Sequence, residues 1–160
     1  MNYRLREAAL HDAKELIALR RQLDDVHAEA RPDLFVSADS YNERSIETYL
    51  AAEKTKVIVA EPENGSGELV AYMILNKELA PAGPVFRTPR LYLYVNDLCV
   101  KDTYRRQGIG ASLMEYAIRY ARDIGASSLE LNVAEFNSDA IRLYESYGLT
   151  TRNRRMELQL

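Results

Sequence analysis

The stretch Tyr104-Arg105-Arg106-Gln107-Gly108-Ile109-Gly110-Ala111 sets two guanidinium groups and two alternate glycines before an apolar-periodic run. Ile109, Leu113, Ala117, Ile118, Ala121 and Ile124 recur at helical spacing and stop at Gly125, so the glycines stand where a helix begins. Amides at a helix start have no intrahelical acceptor, and the dipole adds roughly half a positive charge there. Glycines let an anion approach those amides, and arginines add directional charge-assisted bonds. This is the chemistry of a pyrophosphate cradle. A P-loop is excluded, because Ala111 and Ser112 follow Gly110 where Lys and Ser/Thr are needed. A dinucleotide fingerprint fits poorly: Leu113 replaces its third glycine, and residues 101–107 separate Val100 from Gly108. Only Glu130, about 20 residues on, keeps that reading as a lesser alternative.

The elements that position this motif follow from periodicity. Leu16, Ile17, Leu23, Val26 and Ala30 predict a helix over 12–30, ended by Pro32, and Ile46, Tyr49 and Leu50 predict a weaker one over 41–53. Residues 56–61 and 69–78 read as two strands joined by a turn cluster, an antiparallel hairpin. Pro81, Pro84 and Pro89 mark a loop over 80–90. A nearly all-apolar strand over 91–100 precedes the motif, and further strands are expected over 128–133 and, from the alternation of Met156, Leu158 and Leu160, over 155–160. Asn137 caps a helix that runs to about Tyr147. The strands at 91–100 and 128–133, joined by a long helix, should be parallel neighbours with a right-handed crossover. The class is α/β with a mixed sheet.

Bulk properties bound the function. With 160 residues the chain fits a single domain, 1–160, and can bury a core without staples. A net charge of -3 argues against nucleic acid as a partner, so an anion site has to be local. No apolar run approaches the ~20 residues of a membrane span, and the first residues lack a signal-peptide core. One cysteine, Cys99, suits a reducing compartment and packs as a small hydrophobe. A soluble cytoplasmic protein with no membrane partner is expected.

Arg105-x-x-Gly108-x-Gly110 resembles the signature of GCN5-related N-acetyltransferases (GNAT), which bind the pyrophosphate of acetyl-coenzyme A. The flanks "NDLCV" and "LELNVAEFNSDAIRLYESYGL" are similar to the family's fourth strand, fifth strand and following helix. The strong resemblance spans 91–148, with weaker likeness in "YRLREAALHDA", "VHAEARPDLF" and "RRMEL". It implies a twisted, mostly antiparallel sheet with a parallel pair splayed at its centre and helices on both faces. Two positions depart from the family: Ala9 replaces a capping Ser or Thr, and Asn96 stands where several members carry a glutamate proposed as base.

The resemblance also implies roles. Acetyl-coenzyme A would be the co-substrate, its pantetheine arm bonded to the backbone of Leu98, Cys99 and Val100 like a short added strand. Arg105, Arg106, Gln107, Gly108, Ile109, Gly110 and Ala111 would hold its phosphates, with Asn137 and Tyr144 as further contacts. Tyr144 would protonate the leaving thiolate; its spacing alone fits a core aromatic. Asp97, or water that it anchors, would take the proton of the attacking amine, the alternative being that it orders a bulged strand or binds a cationic acceptor. His27, Asn96, Asn132 and Glu135 are the candidates on the acceptor side, and no metal is called for. The expected reaction is direct acetyl transfer to a primary amine of a small molecule or peptide, with a catalytically weak acyl-coenzyme-A sensor as the alternative. Many relatives dimerise, so a homodimer using the alternating tail is a fold-level expectation.

Overall fold

A computed structural model of the chain describes residues 2–84 and 88–160. The elements run β1 (Tyr3–Glu7), a 3-10 turn (Leu10–Asp12), α1 (Ala13–Ala30), α2 (Glu43–Ala51), β2 (Thr55–Pro62), β3 (Ala71–Ala80) and β4 (Arg90–Val100). A second 3-10 turn (Asp102–Tyr104), α3 (Ile109–Asp123), β5 (Ser128–Leu131) and α4 (Ser138–Ser146) follow. The strands form one sheet in the order β1-β2-β3-β4-β5. All neighbours are antiparallel except β4 and β5, which pair parallel as the crossover helix requires. The loop expected over 80–90 includes residues 85–87, which lie outside the described residues.

Each face of the sheet buries its own set of side chains. Ile58, Ala60, Met73, Leu75, Leu93 and Val95 pack with Ile109, Leu113, Ala117 and Ala121 of α3. Val57, Val59, Tyr72, Ile74 and Cys99 pack with Ala13, Leu16 and Leu19 of α1 and Ile46 of α2. Alternation along each strand produces this division. In β4 the alternation is broken once: Ile74 pairs with Asp97 and Leu75 with Val95, leaving Asn96 as an extra, exposed residue. A one-residue bulge exchanges the faces. Leu93 and Val95 therefore point to α3, whereas Asp97 and Cys99 point to α1.

Two expectations need correction, and the start of the first helix has its own explanation. The chain begins with a strand, β1, not with the first helix. Its charged residues hid the pattern: Arg4 and Arg6 both pair with Glu61 of β2, and only Tyr3 and Leu5 join the core. The first helix opens through the 3-10 turn, where the Asp12 carboxylate accepts the Ala9 amide at 2.8 Å and both Arg6 Nη atoms at 2.7 and 2.9 Å. Asp12 thus supplies the reciprocal half of a capping box, and its own amide donates to Ala9 O at 2.9 Å in place of the absent Ser or Thr side chain. Residues 155–160 form no strand; the alternation is present, but the segment pairs with none of the five strands.

Candidate active site

β4 and β5 pair from Tyr92–Ser128 to Val95–Leu131 and then part. Beyond Val95, β4 runs five residues further with β3 on one side and no strand on the other. The Lys101 amide donates to Val70 O at 2.8 Å, so residues 97 and 99 face β3 and residues 98 and 100 present their N–H and C=O groups to the gap. Backbone groups left open in this way are a place for an added strand-like ligand.

The gap opens into a cleft of about 410 Å³. Leu98, Cys99 and Val100 form its floor, Arg105, Arg106 and residues 108–111 one wall, and Asn137 to Tyr144 of the α4 region the other, with Leu23 and Val26 of α1 above. The two motif glycines serve different ends. Gly108 has φ 83°, a left-handed conformation that ends the turn before α3, and a Cβ there would meet nothing. Gly110 lies inside the first turn of α3, where a Cβ would come within 3.2 Å of Leu143 Cδ2 and 3.8 Å of Val100 Cγ2. It lets α4 close against the end of β4. Arg105 is held by Asp102 at 2.6 Å, and Arg106, itself at φ 63°, reaches Asp139 at 3.5 Å. Asp139 also pairs with Arg142, so three guanidinium groups surround the α3 N-terminus. That concentration of donors and positive charge fits a diphosphate.

Tyr144 lines the same cleft. Burial pushes its hydroxyl up to about 12, so it stays protonated and able to donate at any physiological pH. Asn137 Oδ1 accepts the Ala140 amide at 3.3 Å, capping α4 while its residue lines the same cleft. Cys99 also borders the cleft; burial raises its thiol to about 12, and Sγ donates to Leu19 O at 3.4 Å. It is a packed, inert thiol.

Asp97 points to α1, as Cys99 does, and is not among the residues that line the cleft. Its Oδ1 accepts from Arg20 Nη1 at 2.7 Å; its Oδ2 accepts from the Tyr41 hydroxyl and, at 3.4 Å, from Tyr72. Arg20 in turn binds Asp24 and stacks over the Tyr41 ring at 4.9 Å. Burial, then the Asp97 charge, drives the Tyr41 and Tyr72 hydroxyls far above the ordinary tyrosine value, so both are fixed donors. Both carboxylate oxygens of Asp97 are engaged.

Of the cofactor-side residues singled out from the sequence, the structure gathers all but Gln107 around the cleft. Gln107 turns back to Thr103 O at 3.4 Å. His27, Asn96, Asn132 and Glu135 lie outside the cleft lining. His27 is one residue past Val26; its Nδ1 bonds Leu23 O at 2.8 Å, and its ring sits edge-on to Phe35 and Phe136, each at 5.4 Å. It thus bridges the segment after α1 and the segment before α4. Asn132 and Glu135 are exposed beyond the end of β5. Among the described residues, no three His, Cys, Asp or Glu side chains converge as metal ligands.

Gln22 was missed. Its Nε2 donates to Val100 O at 3.1 Å, and its Oε1 accepts the Asp102 amide at 3.0 Å, tying α1 to the point where β4 becomes the anion loop. A signal existed: Gln22 is a polar residue within the apolar stripe Leu19, Leu23 and Val26. Arg142 and Asp139 carried no such signal, being ordinary exposed helix residues by pattern.

A mixed sheet whose parallel pair parts beside a glycine-opened helix defines the α/β class of this fold. The model of the Acetyltransferase (GNAT) family matches residues 7–149, and the chain belongs to that family. Among curated relatives, it is similar to thialysine N-epsilon-acetyltransferase of Bos taurus, 33% identical over 53% of this chain and 59% of that protein. The Mus musculus protein of the same name is 26% identical over 91% of this chain and 82% of its own length. The chain thus spans less than two thirds of the bovine relative. Among solved structures, the tetramutant of protein BH1408 from Bacillus halodurans superposes with a TM-score of 0.92 at 32% identity, covering 98% of this chain and 99% of that one.

Proposed function

We propose that the protein transfers an acetyl group from acetyl-coenzyme A to a primary amine by direct attack within a ternary complex. The observation that carries this reading is the continuity of one cleft, from the Gly108 amide and three arginines, past the open edge of β4, to the Tyr144 hydroxyl. The residues fit the carrier in order: cations and helix amides for the diphosphate, the Leu98 backbone for the pantetheine amides, and a proton donor for the sulfur. The Val100 carbonyl already receives Gln22 and, at 3.4 Å, Arg105 Nε, which leaves Leu98 as the main acceptor for an added strand. An outward strand N–H at the gap can stabilise negative charge developing on the acetyl oxygen.

The amine has to attack in its neutral form. An amine of pKa ~10.4 is charged at pH 7 in all but roughly one molecule in a thousand, a handicap of roughly 4–5 kcal/mol. The proton leaves through water, since both oxygens of Asp97 are taken by Arg20, Tyr41 and Tyr72. Asp97 is then a positioning residue: it fixes α1 over the bulge, and with α1 the side chains of Leu23 and Val26 above the cleft. Tyr144 donates to the departing sulfur. The names of the relatives put thialysine, an amine on a short thioether chain, first among acceptors to assay.

The test is release of free thiol from acetyl-coenzyme A over a panel of amines that includes thialysine, lysine, polyamines and aminoglycosides. Acceptor-dependent release, abolished or strongly reduced by Tyr144→Phe, supports the reading. Tight coenzyme A binding with no release on any acceptor would favour the acyl-coenzyme-A sensor, a reading to which Asn96 at the bulge gives some room.

A further inference from the structure

The free edge of β4 is shorter than its strand. In a parallel ladder, an added residue donates to the carbonyl of one residue and accepts the amide two positions on. From Leu98 onward the gap side of β4 offers two such rungs, Leu98 O with the Val100 amide and Val100 O with the Asp102 amide. The second rung is already filled. Gln22 Nε2 donates to Val100 O at 3.1 Å, and Gln22 Oε1 accepts the Asp102 amide at 3.0 Å. One carboxamide thus makes both bonds of an added strand residue. Its orientation is fixed, because the Val100 carbonyl only accepts and the Asp102 amide only donates. The helix behind it is fastened too. Arg20 binds Asp97 at 2.7 Å and Leu19 O accepts the Cys99 thiol at 3.4 Å, so α1 has to break both to withdraw Gln22.

We infer that Gln22 is a positioning residue that ends the ladder, so that the amide arm of an acyl carrier pairs at the Leu98–Val100 rung alone. The inference rests on the acetyl-coenzyme A reading above. Pantetheine carries two amides, and two free rungs would admit more than one register. A slip of one rung is two residues, about 6.6 Å at ~3.3 Å per residue. That distance takes the thioester out of hydrogen-bond reach of the Tyr144 hydroxyl. Gln22 thereby sets the span between the phosphates at the start of α3 and the reacting sulfur, from a side chain that touches neither.

The test is residue-resolved amide exchange and calorimetry on the parent and Gln22→Ala. The probes are coenzyme A and 3'-phosphoadenosine 5'-diphosphate, which keeps the phosphates and lacks the arm. In the parent, coenzyme A should slow exchange at the Val100 amide and leave the Gln22 side-chain amide resonances at their hydrogen-bonded positions. In Gln22→Ala the Asp102 amide should exchange fast in the free protein and slow down when coenzyme A binds. The opened rung should tighten coenzyme A by at least about threefold and leave the armless probe unaltered. A glutamine that only braced the fold would not improve binding of one probe alone. Equal or weaker coenzyme A affinity in the variant, or release of the Gln22 side chain in the saturated parent, overturns the inference and leaves the acetyl-transfer reading standing. The parent spectra decide this by themselves should Gln22→Ala fail to fold. A parent with no affinity for coenzyme A overturns both.

Discussion

The Arg20 guanidinium meets the Asp97 carboxylate at 2.7 Å across the interface between α1 and β4, with Asp97 only 8% exposed. That pair exists because one extra residue, Asn96, turns the following side chain to the α1 face. Breaking one partner of a buried pair costs about 3 kcal/mol. Asp97→Asn should therefore lower the unfolding temperature by several degrees, with a raised acceptor KM and a smaller change in kcat. Its log kcat/KM should keep the same dependence on pH as the parent. A slope that flattens in the variant would return Asp97 to the role of base.

If the amine loses its proton to water, the neutral fraction of the acceptor governs the rate. For a lysine-like acceptor, kcat/KM should rise about tenfold per pH unit from 6 to 9, since the group titrates near ~10.4. Tyr144 adds no basic limb in that window, its hydroxyl lying near about 12. Steady-state rates across pH, with buffers of equal ionic strength, test both statements at once.

Tyr144→Phe removes the donor and little volume. A positioned general acid is worth roughly 10²–10⁴ in rate, so kcat should fall at least about a hundredfold while coenzyme A affinity changes little. Unchanged turnover would reduce Tyr144 to a packed aromatic.

Asp12 has consequences for acid stability. Burial alone would raise its carboxyl, but the bonds from Arg6 and the Ala9 amide outweigh burial and hold it below the ordinary carboxylate value. A native carboxyl held low contributes stability that is present above the unfolded pKa and is lost as pH falls through the folded one. Thermal unfolding of the parent should therefore drop in the acid range below about pH 4. Asp12→Asn should lose about 2 kcal/mol at pH 7 and show a shallower acid decline.

Much of this was legible in the sequence where periodicity and burial agree. The α3 stripe from Ile109 to Ala121, the β2–β3 hairpin and the parallel β4–β5 pair needed only local pattern and chain connectivity. β1 was not, because five residues with only Tyr3 and Leu5 apolar are too short an alternation to stand out. The bulge at Asn96 was the costlier omission: it cannot be seen in "YVNDLCV", yet it decides that Asp97 faces Arg20 while Leu98 faces the cleft. Gln22 was readable as a polar interruption of an apolar stripe, but its partners, Val100 O and the Asp102 amide, are far away in sequence. The tail shows the reverse case, a strand-like pattern that joins none of the five strands.

The cleft as a carrier site rests on Gly110 leaving room for α4 and on the amides that open α3. Calorimetric titration of coenzyme A into the parent and into Gly110→Leu, with thermal unfolding as the control for folding, addresses it most directly. Micromolar affinity in the parent, weakened at least about tenfold in the folded variant (near 1.4 kcal/mol), is the result expected. No heat of binding in the parent, or equal affinity in the two proteins, would contradict the account.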